Sequence, residues 1–266
     1  MFRRLTPVAK NILIINVAIF MIGSFLEMPL AELFGLRVIF SSEWAPYQFL
    51  TYMWLHGGFG HILGNMIAVL VFAPMLETVW GSKRFLTFYM ICGIGAGVLY
   101  GVADVIEKYP LKVDAQAYLD NPNPQDFERF IIKHKSPIFN LTALGELSDS
   151  YYEDENNPGL INQTRRVVRE TYDVFITRGN MIGASGAVFG ILFAFAFLFP
   201  NTELFLLFPP IPIKAKYLVF FYGLYELYSE FNRMPGDNVA HLAHLSGMLI
   251  AFIMLKLWSN NTRRFY

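Results

Sequence analysis

A serine and two histidines stand in glycine-rich and alanine-rich stretches of the second half of the chain. Ser185 lies in the run Gly-Ala-Ser-Gly at residues 183–186, and His241 and His244 lie three residues apart further on. A serine hydroxyl is a weak nucleophile unless a base takes its proton during attack, and imidazole is the commonest such base. With a histidine base, these residue types favour nucleophilic catalysis by Ser185; without one, a small packing serine hydrogen-bonded to its own helix would be favoured.

A second polar pair, His61 and Asn65, lies four residues apart in the run HGGFGHILGN at residues 56–65. On a helix the two side chains would share one face, one turn apart. Both can donate hydrogen bonds, through an imidazole N–H and an amide NH₂. Two donors on one face could bind an anion or the oxyanion of a transition state. The alternative is that they hold two helices together, at about 0.6 kcal/mol per hydrogen bond in a membrane.

Two stripes of small residues must position these groups. They are Gly183, Gly186 and Gly190 in one segment, and Ala240, His244, Gly247 and Ala251 in another. Glycine costs a helix up to about 1 kcal/mol relative to alanine, so its repetition indicates close approach of two helix backbones. That packing would place Ser185 opposite His244, with Phe189 one turn later as a platform for the imidazole ring. His241 lies on a neighbouring position of the same face, so it also qualifies as the base.

The segments that carry these residues have the composition of membrane helices. Hydrophobic residues make up 55% of the 266 residues and charged residues 16%, against about 25% charged in soluble domains. A helix needs roughly 20 mostly apolar residues to cross the hydrocarbon core. Six segments are candidates: Asn11–Ala31, Phe49–Val71, Phe85–Ala103, Met181–Phe199, Tyr217–Ser229 extended at its ends, and Val239–Trp258. We therefore expect an all-α membrane protein with a bundle of six transmembrane helices, whose first span is retained rather than cleaved as a signal peptide.

Charge is spread unevenly along the chain. The 21 basic and 21 acidic residues cancel, so no overall positive field would attract nucleic acid. Residues 104–180 hold 13 acidic and 9 basic residues, more than half of all charges. We expect three parts: residues 1–103 with the first three spans, an extracytoplasmic insertion at 104–180, and residues 181–266 with the last three spans.

Helical spacing within this insertion predicts two amphipathic helices. The apolar positions are Phe127, Phe130 and Ile131 in the first, and Ile161, Val168, Tyr172 and Phe175 in the second. Runs at 121–124 and 153–155 are typical of exposed loops.

Short basic segments predict the orientation of the bundle, because Lys and Arg accumulate on the cytoplasmic side. In the six-span arrangement the flanking basic residues fall on one side: Arg3, Arg4, Lys10, Lys83, Arg84, Lys214, Lys216, Lys256, Arg263 and Arg264. Both termini are therefore expected in the cytoplasm, and a bacterial inner membrane is the expected location.

The three motifs, in this order and on three separate spans, resemble those of the rhomboid family of intramembrane serine proteases. The resemblance implies that Ser185, in a GxSG motif, is the nucleophile and that His244, in an HxxG motif, is the base. It also implies that His61 and Asn65, as an HxxxN pair, form the oxyanion hole with the Ser185 main-chain N–H. The implied function uses a Ser–His dyad without a carboxylate and needs no metal or cofactor. The implied substrates are transmembrane segments of membrane proteins.

The resemblance extends to two further residues and has two departures. His56 matches a histidine usually assigned a structural role, and Glu77 resembles a carboxylate that ties the cytoplasmic end of the second helix. Many family members carry Trp-Arg where this chain has Trp44-Ala45. Many also join the third and fourth spans by a short connection in place of the 77 residues found here.

Two other classes of protein stay open from the sequence. His56, His61, His241 and His244 could together ligate one metal ion in a membrane metalloenzyme, although the sequence contains no H-E-x-x-H motif. A non-catalytic rhomboid-like protein that binds transmembrane helices is the second alternative. The single cysteine, Cys92, excludes a disulfide framework and a cysteine-based zinc site.

Overall fold

The computed structural model describes residues 5–135, 138–177, 180–205, 211–233, 237 and 239–261. Four of the basic residues considered above, Arg3, Arg4, Arg263 and Arg264, lie outside the described residues. The described chain is mostly helical and divides into two compact units. The first unit comprises Met1–Leu36, Ala45–Gly101 and Asn180–Tyr266, and the second comprises Arg37–Trp44 and Val102–Gly179.

Helices dominate both units, with one small hairpin in the first. The helices are α1 (Pro7–Phe25), α2 (Leu30–Phe34), α3 (Gln48–Thr51), α4 (Phe59–Trp80), α5 (Ser82–Asp120), α6 (Pro124–Lys133), α7 (Leu141–Glu153), α8 (Pro158–Thr177), α9 (Ser185–Leu198), α10 (Ala215–Phe231) and α11 (His241–Asn261). A 3₁₀ turn covers Tyr52–Trp54. Strand β1 (Glu203–Phe205) pairs antiparallel with β2 (Pro212–Lys214).

Several helices have the length and composition of membrane spans. Among the described residues, α1, α4, α5 and α11 are long and apolar enough to cross a bilayer. Helices α9 and α10 are shorter, with 14 and 17 residues. Large apolar side chains such as Ile14, Phe220 and Leu257 are exposed on the outside of these helices. Such a surface on long apolar helices identifies a multi-pass membrane protein.

The structure shifts the limits of the predicted spans, and the first three shift most. The first was predicted as Asn11–Ala31, but α1 covers Pro7–Phe25 and the separate helix α2 begins at Leu30. The second span was predicted from Phe49, but α4 begins only at Phe59, because the backbone is extended at Leu55. The third was predicted to end at Ala103, but α5 continues to Asp120. Hydrophobicity marks the part of a helix that suits the membrane, and it does not mark where a helix continues in polar residues.

Helix α9 occupies the centre of the first unit. Ten of its 14 residues are buried, and it packs against α4, α10 and α11. A helix that is apolar on all sides is typical of a buried position. Its first residue, Ser185, therefore lies at the end of a helix surrounded by other helices.

Glu77 ties three helix ends of the first unit together. Its carboxylate accepts hydrogen bonds from the main-chain N–H groups of Val8 at 3.0 Å and Ala9 at 2.9 Å, in the first turn of α1. It also accepts one from Ser82 Oγ at 2.6 Å, at the start of α5. The two main-chain N–H groups lie in the first turn of α1, where such donors have no acceptor within the helix, and the negative carboxylate lies at the positive end of that helix. These contacts confirm that Glu77 ties the C-terminal end of α4, and the cytoplasmic location of that end stays a prediction.

The second unit contains the end of α5 with α6, α7 and α8. The two predicted amphipathic helices are present as α6 and α8, which bury Phe127 and Val168 in the core of this unit. Helix α7 was missed, although its buried residues Leu144, Leu147 and Tyr151 recur at helical spacing.

Candidate active site

Ser185 opens α9, and main-chain hydrogen bonds hold the segment before it. Met181 and Leu36 exchange two N–H···O bonds of 2.9 Å. The Gly183 N–H donates to the Tyr52 carbonyl at 3.0 Å. As the first residue of a helix, Ser185 has a main-chain N–H without an acceptor inside that helix. The positive end of the α9 dipole therefore lies at the serine.

Gly183 has a backbone conformation and surroundings that require glycine. Its φ is +134°, in the region that side chains rarely adopt. A Cβ at this position would lie 2.7 Å from His61 Nε2 and 3.5 Å from Ser185 Oγ. The absent side chain thus leaves a small space that His61 and Ser185 both border. The structure brings these two predicted residues together.

Helices α9 and α11 cross in backbone contact at Gly186 and Gly247. A Cβ on Gly247 would overlap the carbonyl oxygen of Gly186, and a Cβ on Gly190 would lie 2.8 Å from Cys92 Sγ. The prediction that the two stripes of small residues meet is confirmed. This crossing brings the helix that carries Ser185 close to the helix that carries His244.

The predicted platform for the imidazole ring is also confirmed. The rings of His244 and Phe189 are stacked, with centroids 4.1 Å apart and planes 6° from parallel. His244 is only 8% exposed. Because residues four apart share a helix face, Phe189 presents this ring on the face of α9 that carries Ser185.

A buried carboxylate contacts His244, and the expected Ser–His dyad did not include this contact. Glu226, in α10, is 2% exposed, and its Oε2 lies 2.9 Å from His244 Nδ1. The same oxygen lies 2.6 Å from His241 Nδ1. The sequence held a signal for this residue, since an ionisable group within an apolar span marks a functional site by default. Its histidine partners follow only from the packing of α10 against α11.

The two histidines of α11 differ in the partners of their ring nitrogens. His241 is bonded on both sides, because its Nε2 lies 3.0 Å from Asp237 Oδ2. The Val239 N–H, followed by the His241 ring, holds the pKa of the Asp237 carboxyl below its usual range. In the described contacts His244 is hydrogen-bonded through Nδ1 alone. Only His244 therefore has a ring nitrogen available to accept a further proton.

His61 and Asn65 lie one turn apart at the start of α4, as predicted. His61 Nδ1 accepts a hydrogen bond from the Gly57 N–H at 3.4 Å, so in the neutral ring the proton is on Nε2, which borders Gly183. Asn65 is 7% exposed, and its amide nitrogen has no acceptor among the described residues. Its donor is therefore unused in this state. His56 packs edge to face on the His61 ring, with centroids 5.0 Å apart.

The histidines do not assemble as the metalloenzyme alternative requires. Glu226, His241 and His244 offer three ligand atoms within 4.8 Å of one another, whereas His56 and His61 pack on each other. The contacts from the glutamate oxygen, 2.6 Å and 2.9 Å, are shorter than the roughly 3.4 Å between neighbouring ligands around a tetrahedral metal ion with bonds near 2.1 Å. These distances favour shared protons over a shared metal ion.

Comparison with known proteins identifies the family. Residues 43–109 and 166–261 match the Rhomboid domain, and residues 110–165 lie between the two matched stretches. Since the match covers more than half of the chain, the protein belongs to the rhomboid family.

Three relatives illustrate this similarity. An uncharacterised mitochondrial rhomboid protein of Schizosaccharomyces pombe is 26% identical over 239 residues, which are 87% of this chain and 55% of the relative. RHOMBOID-like protein 5 of Arabidopsis thaliana is 32% identical over 62 residues, 23% of this chain and 20% of the relative. A candidate rhomboid protease of Bacillus subtilis, YdcA, is 41% identical over 54 residues, 20% of this chain and 26% of the relative. The chain thus matches about half or less of the length of these relatives.

Proposed function

We propose that the protein is an intramembrane serine endopeptidase in which Ser185 is the nucleophile and His244 the base. The observation that carries the proposal is the buried His244 ring, stacked on Phe189 one turn from Ser185, with Nδ1 engaged and Nε2 left for the serine proton. Membership of the rhomboid family, with a candidate protease among the relatives, supports the same function.

The proposed reaction has two stages. Ser185 Oγ attacks the carbonyl carbon of a peptide bond, and its proton passes to His244 Nε2. When the tetrahedral intermediate collapses, the C–N bond breaks, the leaving amine takes that proton, and an acyl-enzyme remains. Water then attacks the acyl-enzyme, with His244 as base and then as acid, which releases the carboxylic acid and restores the serine. Among the described contacts Ser185 and His244 are not yet hydrogen-bonded, and such contacts often tighten only when substrate binds.

Three donors support stabilisation of the oxyanion. They are the Asn65 amide, the His61 Nε2–H and the Ser185 main-chain N–H. A buried donor without an acceptor costs about 1–3 kcal/mol, so the unpaired amide of Asn65 favours a role in which an acceptor arrives with the substrate. Fixed donors of this kind stabilise developing negative charge without reorganisation.

The length of α9 supports membrane-embedded substrates. Its 14 residues span about 21 Å, less than the hydrocarbon thickness of about 30 Å. We place Ser185 below the membrane surface for this reason, so the peptide bond must be presented within the bilayer. The substrate class is therefore transmembrane segments of membrane proteins, cleaved without a cofactor. The exposed side chain of His61 leaves the site open for substrate and water.

In the proposed topology, α9 and α10 complete a six-helix bundle with the four longer helices. Residues 1–103 and 181–266 form this core, both termini are cytoplasmic, and residues 104–180 form an extracytoplasmic insertion. The relatives come from three organisms and one of them is mitochondrial. They support a membrane location and do not favour the expected bacterial inner membrane over others.

Covalent labelling tests the nucleophile directly. Wild-type protein in liposomes is treated with a fluorophosphonate probe, and in parallel with a panel of fluorogenic transmembrane peptides. We expect the probe on Ser185, and Ser185→Ala should abolish labelling and cleavage while the thermal unfolding temperature in detergent stays unchanged. Ser246→Ala, which removes another serine hydroxyl of the bundle, is the matched control and should retain both.

Each result of this experiment has a clear meaning. Normal cleavage by Ser185→Ala would refute the serine mechanism. Wild-type protein that binds the peptides, takes no label and cleaves none of them would support the alternative, a non-catalytic rhomboid-like protein.

A further inference from the structure

One carboxylate oxygen serves both histidines of α11. Glu226 Oε2 lies 2.6 Å from His241 Nδ1 and 2.9 Å from His244 Nδ1. All three side chains are buried. Burial of an ionised carboxylate is costly unless it is paired and hydrogen-bonded. The two histidines supply that pairing, so protonation of this cluster can be deduced from its contacts.

Counting donors assigns the protons. An ionised carboxylate only accepts hydrogen bonds, so both Nδ1 atoms must carry a proton. His241 Nε2 faces the Asp237 carboxylate at 3.0 Å, which also only accepts. With both carboxylates ionised, His241 donates from both nitrogens and is an imidazolium ion. Among the described contacts the one hydrogen bond of His244 is through Nδ1, so a proton held there leaves Nε2 to carry the lone pair of a base.

In this arrangement one positive charge lies against two negative ones, and a proton on His244 would bring the sum to zero. The positive His241 lies between the negative Glu226 and the negative Asp237. That pairing holds the Glu226 carboxylate ionised in a buried place, where an unpaired carboxyl would take up a proton. The carboxylate is then ready to stabilise the positive charge that His244 acquires from the serine.

We propose that Glu226 is the third member of the catalytic array, a positioning residue that sets the tautomer of His244 and stabilises its protonated form. His241, held between Glu226 and Asp237, keeps that carboxylate ionised and fixed. This inference rests on the proposed function, because it concerns the same reaction. It replaces a two-residue dyad by a serine, a histidine and a carboxylate drawn from three helices: α9, α11 and α10.

The expected effect is on catalysis more than on binding. In serine proteases with a Ser–His–Asp triad, replacing the carboxylate by an amide lowers kcat by about 10⁴-fold because the wrong histidine tautomer forms. Here the ring plane is also held by Phe189. We therefore expect Glu226→Gln to lower kcat by about 10²- to 10⁴-fold, with little change in KM.

The test compares three variants with the wild type in liposomes. Glu226→Gln should lower kcat and the rate of fluorophosphonate labelling by similar factors. Glu230→Gln, the same change one turn later on α10, is the matched control and should leave both unchanged. Ser185→Ala reports separately on the proposed function. Loss of activity in Ser185→Ala with wild-type kcat in Glu226→Gln would overturn this inference alone, and full activity in both would overturn the proposed function.

A spectroscopic measurement keeps the inference testable if Glu226→Gln fails to fold. Nitrogen NMR of histidine-labelled wild-type protein at neutral pH, assigned with His241→Ala and His244→Ala, reports the protonation of each ring nitrogen. We expect two protonated nitrogens on His241, and on His244 a proton on Nδ1 only. A neutral His241, or a His244 proton on Nε2, would refute the proposed arrangement.

Discussion

Replacing Asn65 by alanine separates an oxyanion donor from a residue that merely joins helices. The amide nitrogen of Asn65 is buried and unpaired among the described residues. Its removal therefore breaks no hydrogen bond that the described structure makes. Loss of an unsatisfied buried donor relieves a cost of about 1–3 kcal/mol, against a smaller loss of packing. We expect the free energy of unfolding of Asn65→Ala to stay equal to that of the wild type or to rise.

The catalytic effect of the same change should be large. Removing one oxyanion donor costs about 2.7–4 kcal/mol of transition-state stabilisation, or about 10²–10³-fold in kcat. His61 and the main-chain N–H of Ser185 remain, so turnover should be slowed rather than abolished. The assay is initial-rate cleavage of a fluorogenic transmembrane peptide in liposomes, with reversible unfolding measured in detergent.

A matched control sharpens the interpretation of this prediction. Asn16, in α1, is also a buried asparagine, but its amide nitrogen donates to the Ile12 carbonyl at 2.8 Å. Its Oδ1 has no donor among the described residues, so Asn16→Ala removes one hydrogen bond and one unpaired acceptor. Its free energy of unfolding should change little, and its kcat should stay at the wild-type value, unlike that of Asn65→Ala. If Asn65→Ala lost about 0.6 kcal/mol of stability, as for a helix-joining bond, and kept the wild-type kcat, the assignment of Asn65 to the oxyanion hole would be refuted.

Two further changes test the base and the helix crossing. His244→Ala should be inactive in the peptide assay. His241→Ala should keep measurable activity, because both nitrogens of that ring are engaged elsewhere and it is not the base, but at a lowered rate, because Glu226 loses a partner. The reverse result would move the base to His241. Gly247→Ala should destabilise the bundle by about 1–3 kcal/mol or more, as overpacking does, because a Cβ there overlaps the Gly186 carbonyl. Gly64→Ala, where a Cβ meets nothing within 4 Å, is the control in thermal unfolding, and equal stability of the two variants would contradict the crossing.

Short-range patterns predicted much of the site. Helix geometry alone relates residues that are close in the sequence. It predicted that His61 and Asn65 share a face, that Phe189 lies one turn from Ser185, and that the small residues form stripes. The packing of His244 on Phe189 could be predicted as well, because helix backbones approach closely where the side chains are small, along those stripes.

Contacts between residues far apart in the sequence were harder to predict. The start of α4 at Phe59 and the presence of α7 depend on where the chain leaves one element for another. The carboxylate partner of His244 was missed for a similar reason. Glu226 stands on a different helix, 18 residues before His244, and no local spacing relates the two.

The sequence by itself determined that the protein is a helical membrane protein of the rhomboid type, because composition and motif spacing are properties of the chain alone. Only the tertiary structure decided which histidine is free to act as a base. His241 and His244 share one helix face, so spacing alone does not separate them, and the HxxG motif selects His244 only through the family resemblance. Their difference arises from what packs around them: Glu226 and Asp237 engage both nitrogens of His241, whereas His244 keeps Nε2 available.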